Sequence, residues 1–435
     1  MPKFYLAIDI GASSGRHIVG YKDERGTLQT VETYRFPNGV KEVDGHLTWE
    51  VERLVKEVKS GIRETLKKYP KVESMSIDTW GVDYVLLEED KEIMPVYAYR
   101  DSRTKAVIGE VHEKIPFEKL YAITGSQFQE FNTLYQLYDD LKRGRLERAT
   151  DFLFIPEYLM YKLTGVKKHE YTNASTTGML SAQTNDYSKE IISVLGLKES
   201  LFKPLEKPKT PVGSFTAEVQ AEVGGNVPVV LCPTHDTASA VEGIPMEENA
   251  PYVSSGTWSL LGIKSAKAFT SERAMRANYS NEYGPNYIRF QKNIMGLWII
   301  QCLAKQTGLG FEEMVNLAKS SEYTEIFNVN DERFLASPNM KKEIAEYFLE
   351  SGKPVPQTDA DVINSTYRSL AYSYKVAYEE LEEITGEKYG KLYIVGGGAK
   401  NKYLNQLTEE YTAKKVVAFP IEATAIGNLL TQIGE

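Results

Sequence analysis

Cysteine, tryptophan and histidine are scarce in this chain of 435 residues, at 2, 4 and 5 copies. The cysteines, Cys232 and Cys302, stand far apart in apolar surroundings with neither CxxC nor zinc spacing. That excludes a disulfide scaffold and a cysteine-built metal site, and leaves two buried thiols as in a reducing compartment. No stretch approaches the roughly 18 apolar residues a membrane span needs. The N-terminal run FYLAIDI is short and carries Asp9, so it reads as a strand rather than a signal peptide, and a cytoplasmic protein is expected. Basic runs of five residues are absent as well, and the net charge is −9, which argues against nucleic acid or an anionic membrane as partner. No GxxxxGK[ST] occurs, so there is no Walker A loop.

What is present is enough chain for two domains of roughly 200 residues each. Residues 4 to 10 read as a buried strand broken by GASSG. RHIVGYK follows as its antiparallel partner, and DERG turns into TLQTVETYRF as a third strand. Val51, Leu54, Val55, Val58, Ile62 and Leu66 recur at helical spacing. VESMSIDTW is again a strand, and VDYVLLEEDKEIMPVYAYR reads as a hairpin turning at Glu88 to Lys91. Several strands before a helix predict mixed strand directions, unlike the plain βα alternation of a dinucleotide fold. The second half repeats the plan. PYVSSGTWSLLGIKS is strand, small-residue turn and strand; a long helix carries Ile363, Tyr367, Leu370, Tyr374, Tyr378 and Leu381 on one face and ends at Gly386. Strand, glycine turn and helix follow in KLYIVGGGAKNKYLNQLTEEY, then strand and helix in KKVVAF and ATAIGNLL. An α/β protein of two similar domains, 1–243 and 244–435, with a cleft between them, is expected. The last helix runs out without a cap or polar tail, which suggests a second domain shortened at its C-terminus.

Three small-residue turns are candidate phosphate sites. In DIGASSGR, Gly11 and Gly15 allow close backbone approach, Ser13 and Ser14 offer hydroxyls, and Arg16 adds a forked charge. SSGTW (254–258) is the same kind of turn, and VGGGAKN (395–401) opens a helix, although Asn401 spoils a GxGxxG reading. Each alone is as well explained by a plain hairpin turn; three together suggest a nucleotide whose phosphates lie between the domains. Asp9, on a buried strand beside the first turn, needs a partner or a cation. Water-mediated magnesium is one reading, and hydrogen bonding to turn amides is the other.

The apolar run NVPVVLC leads into PTHDTASAV, which sets Asp236 at a strand end. An acid there can take the proton of a hydroxyl attacking a γ-phosphate, or can simply cap the helix that DTASAV begins. DTWGVD would make a wall for a polyhydroxylated ligand, and YRDSR (99–103) could bind sugar hydroxyls or form a surface ion pair. Of Trp49, Trp80, Trp258 and Trp298, three fall in motif-like turns or at the start of an amphipathic helix; core packing is the commoner reason for any one of them.

Read together, AIDIGASSGR, DTWGVDYVLL, YAYRDSRT, FNTLYQL, EYTNASTTGML, HDTASAV, SSGTWSLLG, NIMGLWIIQ, NDERFLASPNM and IVGGGAKNKYLNQL resemble the FGGY carbohydrate kinases, in order and over nearly the whole chain. The resemblance implies two ribonuclease H-like (actin-type) ATPase domains closing on MgATP and a ketose. It implies transfer of the γ-phosphate to the 1-hydroxyl of L-rhamnulose, with L-fuculose or a xylulose as the alternative. It implies Asp236 as proton acceptor and Gly81, His235, Asp236, Thr237 and Asn293 as sugar contacts. Ala12, Ser13, Ser14, Gly15, Arg16, Thr257, Gln301 and Gly397 correspond to nucleotide contacts. Small-molecule substrates and a monomer or homodimer are implied, with no nucleic acid or membrane. The family usually continues some tens of residues past Glu435, and the cysteine pairs of some members are missing here. A non-catalytic ATP-driven clamp is a rival class; the intact HDT beside DTWGVD argues against it.

Overall fold

The computed structural model describes residues 2–335, 337–419 and 422–434. Its first sheet forms around β1 (Tyr5–Ile10), where Leu6, Ala7, Ile8 and Ile10 are all fully buried. Such a continuous apolar run belongs to a strand covered on both faces. Antiparallel to it runs β2 (Ser14–Lys22), followed outward by β3 (Leu28–Pro37). Helix α1 (Val51–Lys68) then crosses back, burying Val51, Leu54, Val58, Ile62 and Leu66 while Val55 stays half-buried. That crossover lets β4 (Ser74–Thr79) pair parallel with the other side of β1. Short β5 (Pro211–Gly213) and β6 (Val229–Val230) complete the order β5-β6-β4-β1-β2-β3. The strand expected over NVPVVLC is thus only two residues long. Pro228 cannot donate to a ladder, and beyond Val230 only an isolated bridge of His235 to Thr79 of β4 precedes α2 (Asp236–Glu242).

The second half draws the same figure. Strand β7 (Tyr252–Ser255) pairs antiparallel with β8 (Trp258–Ser265); β9 (Ser280–Tyr283) and β10 (Ile288–Met295) extend that edge. After α3 (Trp298–Thr307) and the long α4 (Asp359–Thr385), β11 (Lys391–Val395) returns parallel to β7. Next come α5 (Lys402–Thr412), β12 (Lys415–Phe419) and α6 (Ala423–Ile433), in a sheet ordered β9-β10-β8-β7-β11-β12. Each half therefore opens with antiparallel strands, three in the first (β1 to β3) and four in the second (β7 to β10), followed by a crossover, two parallel strands and a helix; β5 is an additional antiparallel edge strand of the first sheet. The predicted face of α4 is buried, and Gly386 closes it in the left-handed conformation. Contrary to expectation the final helix is capped as well: Gly434 (φ 96°) donates to the Leu430 carbonyl. Among the described residues no helix is long and apolar enough to cross a membrane.

The two closing helices are exchanged between the halves. Ala240 and Val241 of α2 pack against Tyr252, Tyr393 and Val395 of the second sheet. Ala425 and Leu429 of α6 pack against Ala7 and Ile18 of the first, where Gly20 leaves room for Leu429. Gln432 on α6 donates to the Leu6 carbonyl (3.0 Å) and accepts from the Ser74 hydroxyl (2.7 Å). Where α2 meets α6, glycine is required for space. A Cβ on Gly427 would lie 1.8 Å from the Ser239 carbonyl oxygen, and one on Gly243 would lie 2.0 Å from that of Ala423.

Candidate active site

Strand register lays four charged residues in one line across the first sheet. Arg35 on β3 is opposite Arg16 on β2, Arg16 is opposite Asp9 on β1, and Asp9 is opposite Asp78 on β4. Directly opposed residues share a face, so the side chains are neighbours. Arg16 Nη2 donates to Asp9 Oδ2 at 2.6 Å, and its Nη1 reaches Glu422 Oε2, just ahead of α6, at 2.6 Å. Asp78 is fully buried; its Oδ2 accepts from Asn428 on α6 (2.6 Å), and its Oδ1 has no partner among the described residues. Burial, and then the charge of Asp9, push the Asp78 carboxyl well above its ordinary value. Asp9 is raised as well, by burial, against the pull of Arg16.

The same line leads to Asp236. Thr79 at the end of β4 bridges to His235, and its N–H donates to the Thr234 carbonyl. Thr234 is anchored in turn by buried Glu170, whose Oε2 accepts from its N–H and its hydroxyl (2.8 Å). His235 takes the N-cap position and Asp236 the first turn of α2, so Asp236 does not itself cap the helix. Its Oδ1 accepts from the Thr237 hydroxyl at 3.1 Å and lies 3.4 Å from His235 Nε2. Burial, then the charge of Asp9, push the Asp236 carboxyl up from 3.8 to about 7. A carboxyl tuned to neutral pH between a cleft and a second acid is suited to receive a proton.

Beside it the two halves enclose a cavity. Gly81, His235 and Thr237 line it from the first half and Asn293 from the second, so the structure gathers the sugar-site candidates other than Asp236 around one cavity. Trp80, Tyr99, Asn132, Thr176 and Glu282 line it too. Gly81 packs on Thr176, where a Cβ would come within 2.8 Å. Val82 adopts φ 66°, unusual for a β-branched residue, and is held there by Thr176 Oγ1 on its N–H and Thr133 Oγ1 on its carbonyl. Gln127, Gln129 and Phe131 also face the cavity, and no role was read for them. Their one signal is the clustering of amides and aromatics in QFQEFN, a composition suited to hydroxyl-rich ligands.

Two expectations about this cavity need correction. Asp83 of DTWGVD faces no ligand: its Oδ2 accepts from the indoles of Trp49 (2.6 Å) and Trp80 (3.0 Å) and from the Tyr99 N–H. The charges of YRDSR are neither sugar contacts nor a surface pair. Arg103 is buried against Asp139 (2.7 Å) and Asp140 (3.0 Å), and Asp101 binds His46 and two backbone amides; only Arg100 faces solvent.

The nucleotide candidates fall at the β1–β2 turn and the start of β2 in the first half, and at the β7–β8 turn, in α3 and after β11 in the second. Ala12 and Ser14 are half-buried and Ser13 exposed, with the turn closed by Gly11 N–H on the Ser14 carbonyl (2.9 Å). Gly15 is a glycine for a different reason than expected: a Cβ there would strike the Phe36 ring at 2.1 Å. Thr257 Oγ1 and the Gln301 amide meet at 3.3 Å, because the carbonyls of Gly256 and Thr257 accept from the first amides of α3. Gly396 needs its positive φ (84°) and Gly398 packs on Ser255, whereas a Cβ on Gly397 would meet nothing within 4 Å. This turn does not open the helix directly. A 3₁₀ turn, Gly397–Lys400, intervenes, and Asn401 caps α5. Among the described residues no three His, Cys, Asp or Glu side chains form a ready metal cage.

Comparison with known proteins accounts for this layout. The solved xylulose kinase of Lactobacillus acidophilus superposes with a TM-score of 0.81 over 99% of this chain and 88% of its own, at 13% identity. Plasmodium falciparum glycerol kinase with ADP gives 0.79 over 99% and 89%, at 15% identity. Much nearer in sequence are two proteins named rhamnulokinase. That of Oceanobacillus iheyensis is 42% identical over 100% of this chain and 93% of its own length, and that of Bacillus subtilis is 40% identical over 99% and 90%. Residues 4–243 match the model of the N-terminal domain, and residues 251–433 that of the C-terminal domain, of one family. With its two halves accounted for in this way, the chain belongs to the FGGY family of carbohydrate kinases.

Proposed function

We propose that this kinase transfers the γ-phosphate of ATP to the 1-hydroxyl of L-rhamnulose, giving L-rhamnulose 1-phosphate and ADP, as a cytoplasmic monomer or homodimer with domains dividing at residues 243/244. The observation that carries the reaction is the position of Asp236, between residues of a hydroxyl-suited cavity and the Asp9–Arg16 end of the charge row. The names borne by the full-length relatives support the sugar. In this reading Gly81, His235, Thr237 and Asn293 hold the ketose. The loop Ala12, Ser13, Ser14, Gly15 and Arg16, with Thr257, Gln301 and Gly397, holds the nucleotide. As the sugar oxygen attacks, its proton passes to Asp236. Arg16 and the turn amides offset phosphate charge, and closure of the halves keeps water from the γ-phosphate.

The chain's residues also fit a magnesium ion. Two adjacent buried carboxylates, one with an unpartnered oxygen, call for a cation, and magnesium bound with phosphates uses only one or two protein carboxylates. Asp9 would hold it through water, and the ion would supply further neutralisation of phosphate charge.

Magnesium-dependent ADP release is the test, with L-rhamnulose, L-fuculose, L-xylulose, D-xylulose and no sugar compared. L-Rhamnulose should be strongly preferred. A faster ketose would replace the sugar and leave the chemistry, whereas turnover indifferent to sugar would overturn the reading. A pH profile adds an independent check. Asp236 must be ionised to accept a proton, so kcat/KM should rise about tenfold per pH unit below its midpoint and flatten above about 7. A profile flat from about pH 5.5 to 8 would be incompatible with this base.

A further inference from the structure

Arg289 on β10 is fully buried, yet it lies at the junction of the halves rather than in either core. Its Nε donates to the Tyr283 carbonyl at 3.3 Å. Its Nη2 is 3.1 Å from Oε2 of Glu282, directly opposite on β9, and 3.2 Å from Nδ1 of His235 in the other half. A guanidinium can only donate, and one NH₂ group has two hydrogens. Glu282 takes one and His235 Nδ1 the other. Nδ1 must therefore present its lone pair, and the ring hydrogen must sit on Nε2. The opposite tautomer would set donor against donor at 3.2 Å, with only Glu282 at 3.5 Å as compensation. Burial and the charge of Arg289 also keep the ring neutral.

The consequence falls on the candidate base. His235 Nε2 is 3.4 Å from Asp236 Oδ1, a contact that can tighten when substrate binds, and the Thr237 hydroxyl donates to the same oxygen. Thr237 is the one donor to Oδ1 in this structure; tightening of the His235 contact would add a second, fixing the carboxylate and leaving Oδ2 for an incoming hydroxyl. The geometry points to Arg289 as a positioning residue that, from the second half of the chain, sets the tautomer of His235 and through it the orientation of Asp236. This rests on Asp236 being the proton acceptor. It adds that the base is aligned only when the halves are together.

The unmodified, ¹⁵N-histidine-labelled protein provides the first test. With five histidines per chain, long-range ¹H–¹⁵N spectra can resolve the rings, and His235→Gln identifies the signal. A neutral His235 ring protonated at Nε2 is expected from about pH 6 to 8. Protonation at Nδ1, or an imidazolium, overturns the proposal. Turnover gives the second test. Arg289→Met should lower kcat roughly 10- to 100-fold, a part of what a general base supplies, with the sugar KM changed less than about threefold. In a His235→Gln background the same substitution should add less than about twofold. A full, independent loss in that background would reduce Arg289 to a framework residue. Should Asp236→Asn keep its turnover, the assignment of the base fails while the tautomer result stands, so the two failures are distinguishable.

Discussion

Asp236→Asn should lower kcat by about 10²- to 10⁴-fold while leaving ATP affinity close to that of the parent chain. Asn keeps the size of the side chain and the contact with Thr237 but can no longer bind the proton of the attacking hydroxyl. The nucleotide candidates lie on other elements and should be undisturbed, which calorimetric titration of ATP would check. Turnover near the parent level would remove Asp236 from its role. The same variant should also be more stable, and the sign follows from the raised carboxyl. With a folded-state value of about 7 against an ordinary 3.8, the folded protein favours the protonated acid. That stabilisation is fully present below about 3.8 and is lost progressively as pH rises from there to about 7. Asn is neutral throughout, so it should melt a few degrees higher than the parent at about pH 8, by less than half that margin at about pH 5, and close to it only at about pH 4 and below. A variant less stable throughout this range would mean the carboxylate is well accommodated when charged.

Gly427→Ala should produce the largest stability loss of any single methyl addition considered. The new Cβ would lie 1.8 Å from the Ser239 carbonyl oxygen and 2.8 Å from the Gly243 nitrogen, both rigid backbone. No rotamer relieves such a clash; only parting the helices does. Overpacking ordinarily costs about 1 to 3 kcal/mol, and here about 3 kcal/mol or more is expected because backbone must move. Gly243→Ala meets the Ala423 carbonyl and should behave alike. Since one displacement of α6 relieves both clashes, the double variant should lose clearly less than the sum of the singles. Denaturant unfolding of the four proteins decides it. Parent-like stability of Gly427→Ala would mean that the crossing is not close-packed.

Much of this framework was legible along the chain, because periodicity reports burial directly. The face of α4, the apolar run of β1 and the repeated strand–turn–strand all follow from local pattern. Asp9 and Asp236 stood out as acids in apolar surroundings. Asp78 did not, because it opens DTWGVD, a stretch that reads as a ligand wall, and only the register of β1 against β4 puts its carboxyl beside Asp9. The glycines were half understood. Gly397 does face open space, but Gly15 and Gly398 exist to fit Phe36 and Ser255, partners far off in sequence. Arg103 and Asp83 look like surface or ligand groups in isolation, and they are satisfied by residues from other elements. Arg289, in a strand without any motif, acquires meaning only when the second half sets it against His235.

The exchange of closing helices has a consequence for the order in which the protein can be made. β1 lies near the front of the sequence and α6 follows the whole of the second sheet, yet α6 covers Ala7 and Ile18 and satisfies Leu6. Domains ordinarily fold as they emerge, N-terminal first. Here the first sheet must wait, with part of one face open, until the second half has been made and α6 has emerged. Completion of the first sheet is therefore a late event of synthesis rather than an early one.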